Sequence, residues 1–136
     1  MFTAKVYNVM VGSLGGAMEE VYLAKETIRK WNQQNAERTG KLFMLVDWVA
    51  KEEEIHHVDV VIGIVDNWIE NTGFIESCVE KGKQVMLFFT NHQDPGNTIC
   101  SELLEVRDFH NKMLDCCICA EFTNASELGL FLSERF

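Results

Sequence analysis

Residues Val58 to Val65 read VDVVIGIV, and this run constrains the fold more than any other part of the chain. Six of its eight residues are Val or Ile, with little polar alternation. That pattern belongs to a parallel strand covered on both faces, because a half-exposed strand alternates apolar with polar residues. Asp66 and Asn67 end the run.

Four further apolar runs extend the argument. Val6–Val11 (VYNVMV) stops at Gly12, and Lys41–Val49 (KLFMLVDWV) follows Gly40. Gln84–Phe89 (QVMLFF) follows Gly82, and Cys117–Phe122 (CICAEF) comes last. Helical patterns separate them. From Ala17 to about Asn35, Val21, Ala24, Ile28 and Trp31 form one stripe, with Glu19, Glu20, Lys25, Glu26, Arg29 and Lys30 largely opposite. Residues 50–57 (AKEEEIHH) hold at most two helical turns. Trp68–Lys81 becomes helical toward its end, turning Ile75, Cys78 and Val79 inward. A turn at Asp94–Asn97 leads to a helix with Ile99, Leu103, Val106, His110 and Met113 on one stripe. Ser126 to about Arg135 forms a terminal helix capped by Asn124 or Ser126.

Strands alternating with helices, with hardly any room for hairpins, predict one α/β domain over residues 1–136. The expected architecture is a doubly wound, flavodoxin-like, five-stranded parallel sheet in the order 2-1-3-4-5, with helices on both faces. The one Pro, against about seven at average usage, agrees with regular elements joined by short loops.

Charge and cysteine usage narrow the function. Twelve Lys and Arg against 21 Asp and Glu leave a net charge of −9. That argues against nucleic acid or an anionic membrane as a partner, since both need a basic patch. No apolar run approaches the roughly 18–20 residues of a membrane span. The five Cys are odd in number, three of them crowded at Cys116, Cys117 and Cys119, and no secretory apolar stretch opens the chain. A reduced, cytoplasmic setting is expected.

In such a sheet, ligands bind beyond the carboxyl ends of the strands, near the reversal of strand order. That rule selects Ser13, Gly15 and Gly16 after the first strand, Asp47 and Trp48 after the second, and Asp66, Asn67 and Trp68 after the third. The Gly12–Gly16 segment reads either as a phosphate-accepting turn before a helix N-terminus or as a tight turn with no ligand. Neither a GxGxxG nor a Walker pattern is present, and Glu19 and Glu20 oppose an anion there. Asp47, Asp66 and Glu76 read either as a ribose-holding acidic cluster or as caps and solvated groups. Trp48 and Trp68 read either as base-stacking or as rim packing. Cys117 and Cys119 share one strand face, where free thiols pack as small hydrophobes. His56-His57 has no companion at metal spacing, and His110 sits on an apolar stripe. No metal or cofactor is expected.

The residues also carry a resemblance. VMVGSLGGAMEEVYLAKETIRKWNQQNAERTGKLFMLVDW resembles the opening of a prokaryotic TIR-like family related to nucleoside 2-deoxyribosyltransferases. That family has a strand, a short turn, an acidic pair and a helix ending in Trp-Asn-x-x-Asn, matched here by Glu19-Glu20 and by Trp31-Asn32 with Asn35. Asp59–Ile64 is similar to its third strand, and the segment from Gly82-Lys83 to Phe89 is similar to its Gly-Lys-Pro-Val-Met-Leu strand. The likeness spans about Val6 to Thr90. It implies a TIR-like fold, a nucleotide or nucleoside-like ligand or a protein partner, a setting in bacterial or phage conflict systems, and sites often completed by a second subunit.

The departures are specific. Leu14 and Gly16 stand where the family turn has Pro and Asp, and the segment between strands two and three is much shorter. The family's nucleophilic Glu falls at Phe74, with Glu76 the nearest carboxylate. Two functions follow: a non-catalytic or weakly active binding module, or an enzyme of the N-glycosidic bond using Glu76, Asp66 and Asn67.

Overall fold

The computed structural model describes residues 2–15, 18–48, 52–65, 69–70, 72–90, 101–122 and 130. Strand β1 (Lys5–Gly15) leads through helix α1 (Met18–Thr39) to β2 (Lys41–Val46). A short 3-10 turn (Glu52–His57) crosses to β3 (Val60–Val65). Helix α2 (Thr72–Glu80), strand β4 (Gln84–Thr90), helix α3 (Ser101–Met113) and strand β5 (Ile118–Phe122) complete the order. All strand pairs are parallel and the sheet runs β2-β1-β3-β4-β5. This is the doubly wound α/β sheet that the apolar runs predict.

Each face of the sheet has its own apolar layer. On one face, Val9, Val11, Val60, Ile62, Ile64, Met86 and Phe88 pack with Val21, Ala24, Ile28 and Trp31 of α1. On the other, Met10, Val61, Val65, Val85, Leu87 and Phe89 pack with Ile55 of the 3-10 turn, Phe74, Ile75 and Cys78 of α2, and Phe109 and Met113 of α3. Every residue of β3 is buried, as a central strand between two helix layers must be.

The ends of the elements depart from the sequence pattern for identifiable reasons. Helix α1 runs past Asn35 to Thr39, its last turn tied by Arg38 to the Asn35 side chain (2.6 Å) and by the Thr39 hydroxyl to the Asn35 carbonyl (2.7 Å). Gly40 stops it at φ 71°, and Gly82 takes φ 76° after α2, a left-handed conformation that a side chain disfavours. Strand β2 ends at Val46, before Asp47 and Trp48, and Val49 lies outside the described residues.

The largest difference is in β1. The expected turn after Gly12 is strand through Gly15, opposite Val65 of β3. The register slips between Ser13 and Gly15, so Leu14 is the extra residue of a bulge. Leu14 is completely buried on the face of Met10 and Val61, where an exposed turn would have left it in water. The turn expected at 94–97 and, apart from Leu130, the terminal helix expected over 126–135 lie outside the described residues.

Candidate functional site

The carboxyl ends of β1, β2 and β3 form the rim at which sheets of this kind take ligands. Strand β1 contributes Ser13, half-buried opposite Ile64, and Gly15 opposite Val65. Asp47 is exposed one residue beyond β2, and Trp48 is half-buried beside it. Gly16, Asp66, Asn67 and Trp68 lie outside the described residues.

Glycine at position 12 serves the packing of this rim. A Cβ built there would stand 2.1 Å from the Trp48 ring, so the indole lies directly on the Gly12 backbone. Trp48 also meets Phe74 of α2 edge-on, with ring centroids 5.6 Å apart. Trp48 therefore bridges β1 and α2 at the rim. Gly63, opposite Gly12, is filled in turn by Leu14 and Leu87. The Leu14 carbonyl accepts a hydrogen bond from the Glu70 N–H, which ties Glu70 to the bulge. This part of the glycine segment is occupied by the protein's own side chains and backbone.

The electrostatics of the rim are acidic. Helix α1 starts beside the end of β1 and carries Glu19 and Glu20 in its first turn. Their charges offset the positive end of the helix dipole that a phosphate would use. With exposed Asp47 added, the described part of the rim is negatively charged.

Glu76 is placed differently. It sits in the middle of α2, and its carboxylate forms an ion pair with Lys112 on α3. Helix α3 descends from the carboxyl end of β4 to the amino end of β5, so its last turn lies at the opposite end of the sheet from the rim. The Glu76 carboxylate is thus engaged toward α3, and Lys112 is held above the ordinary lysine pKa by that hydrogen bond and charge. Phe74, where the resembling family has its nucleophile, is buried among the layer of α2 and α3.

The histidines divide between packing and solvent. His110 stacks on Phe89 with ring centroids 4.0 Å apart and planes 12° apart, half-buried on the stripe that the sequence assigned it. His56 and His57 lie side by side and exposed. Among the described residues no group of three or more His, Cys, Asp or Glu is arranged to hold a metal ion. No described helix is long and apolar enough to cross a membrane.

Two features went unread in the sequence. Asn32 clamps the backbone of Phe43 at the sheet edge, although the Trp-Asn pair had already singled it out. Val6 and Met44 are 43% and 48% exposed on the face of β1 and β2 opposite α1, beyond the reach of the short crossover. The shortness of residues 47–59 was the available signal for that uncovered face.

No protein-family model and no curated protein matches the chain. Among solved structures it is similar to homoserine dehydrogenase of S. aureus, with a TM-score of 0.52 and 11% sequence identity. The match covers 88% of this chain and 33% of that one, so this chain spans about a third of the dehydrogenase. At that identity the likeness is one of fold.

Proposed function

We propose that the chain is a catalytically silent TIR-like module that binds a nucleotide- or nucleoside-type ligand at the carboxyl rim of β1 and β3. The observation that carries this reading is the Glu76–Lys112 ion pair. A carboxylate nucleophile must reach the anomeric carbon of a substrate held at the rim. Here the nearest carboxylate to the family position faces a lysine on the neighbouring helix. The acidic rim supports recognition through the base and sugar rather than through phosphates. The TIR-like identity rests on the sequence resemblance, and a role in bacterial or phage defence rests on analogy with that family.

The decisive assay incubates purified protein with NAD and a panel of nucleosides and measures free base for wild type and Glu76→Gln. No base is released by either protein under this reading. Release by wild type that disappears in Glu76→Gln would establish the alternative, an N-glycosidic-bond enzyme with a helix-borne Glu. Thermal denaturation with the same compounds supplies the binding half of the test. A ligand present at about 100 times its Kd stabilises the native state by about 2.7 kcal/mol, seen as a raised melting temperature.

A second reading, a protein-binding module, is favoured by the exposed Val6 and Met44 on the face opposite α1. A panel that leaves the melting temperature unchanged moves the proposal to this surface.

A further inference from the structure

The cysteine-rich turn between α3 and β5 lies away from the rim and has chemistry of its own. Residues two apart in a strand share a face, and the Cys117 and Cys119 sulfurs stand 3.9 Å apart. Both side chains are half-buried, which leaves them reachable. Cys119 is held in the ladder opposite Leu87. Cys117 precedes Ile118, the first residue of β5, and its position is set by the end of α3, where its N–H and thiol both approach the Met113 carbonyl.

We propose that Cys117 and Cys119 are a redox-active dithiol, a modification site that closes to a disulfide by exchange with a low-molecular-weight organic disulfide. Strand residues two apart have Cα atoms about 6.5 Å apart. Disulfides span up to about 6.8 Å and favour about 5.5–6 Å, so closure draws Cys117 toward Cys119. Cys117 stands one residue before the first paired residue of β5, so the movement falls at the end of the strand rather than within it.

The chemistry balances with the external disulfide as oxidant. The Cys119 thiolate attacks one sulfur of RS–SR, forming a mixed disulfide and releasing one thiolate. The Cys117 thiolate then attacks the Cys119 sulfur and expels the second. Two protein thiols are oxidised, one external disulfide is reduced to two thiols, and the two cysteine protons pass to them. The contact between the two sulfurs lowers the Cys119 thiol, which favours Cys119 as the first nucleophile. The same contact, with burial, raises Cys117.

The test uses the full chain with glutathione disulfide, followed by acid quenching, thiol labelling and peptide mass mapping. Wild type loses two free thiols without retaining an adduct, and the bond maps to Cys117–Cys119. Cys117→Ser stops at a glutathione adduct on Cys119, and Cys117→Ala does the same if serine perturbs the turn. Circular dichroism of each variant confirms that it is folded. A wild-type adduct that persists on Cys119, a bond that maps to Cys116 or Cys100, or retention of all five thiols overturns the proposal.

Discussion

Asn32 of α1 grips Phe43 of β2 by both ends of its backbone: its side-chain N–H donates to the Phe43 carbonyl at 2.8 Å, and its carbonyl oxygen accepts the Phe43 N–H at 2.9 Å. Strand β2 is the edge of the sheet, and these groups face away from β1. One side chain thus replaces a missing neighbouring strand at the middle of an edge that carries one charge, Lys41, and no proline. An open edge of that composition is a template for pairing with another chain. The Trp31 ring, 4.9 Å from that of Phe43, fixes the same helix to the same strand from inside.

Asn32→Ala is therefore expected to destabilise the protein by about 2 kcal/mol, the loss of two partly buried hydrogen bonds. It should also promote self-association through β2. Chemical denaturation reads the first effect and light scattering against concentration reads the second. A variant that loses stability but stays monomeric at all concentrations would show that the clamp does not guard the edge.

The contact between Trp48 and Gly12 makes a sharper prediction. Gly12→Ala places a methyl group inside the indole and should cost about 3 kcal/mol, the upper end of overpacking. Gly63→Ala meets only the ends of Leu14 and Leu87 at 3.0 and 3.1 Å and should cost about 1 kcal/mol. In a double-mutant cycle, Trp48→Ala should relieve the Gly12→Ala defect by more than about 1 kcal/mol. Additive losses would mean that the indole does not rest on Gly12.

Cys78 supplies a dependence on pH. It is fully buried on α2, and burial raises its thiol from 9.0 to about 11, against the weaker opposing influence of Lys81 and Lys83. The folded state then keeps a proton that the unfolded state releases between those values. Stability is complete below about pH 9 and falls as pH rises toward about 11. The slope due to this group approaches about 1.4 kcal/mol per pH unit. Denaturation midpoints of wild type should decline through this window more steeply than those of Cys78→Ala. Equal slopes would refute the assignment. The same burial makes Cys78 the slowest of the described thiols to alkylate in the native protein.

Much of the architecture is legible in the chain itself. The Val and Ile run of β3 requires cover on both faces, and helical periodicity in α1 names Val21, Ala24, Ile28 and Trp31 as its buried stripe. Gly40 and Gly82 mark helix ends because left-handed backbone disfavours a side chain. These are local consequences of period and backbone sterics, so sequence suffices for them.

Tertiary structure decided what the same residues do across the fold. Gly12 and Leu14 look like a ligand turn in one dimension, yet an indole from residue 48 fills the first and the core absorbs the second. Glu76 reads in the sequence as a displaced carboxylate, and in the fold Lys112, 36 residues away, pairs with it. Asn32 becomes an edge guard only because α1 lies along β2. Each outcome depends on a partner distant in sequence, and free energy of packing and pairing is assigned by proximity in space. The sequence by itself determined the doubly wound sheet; the partners that meet across it determined what its candidate residues touch.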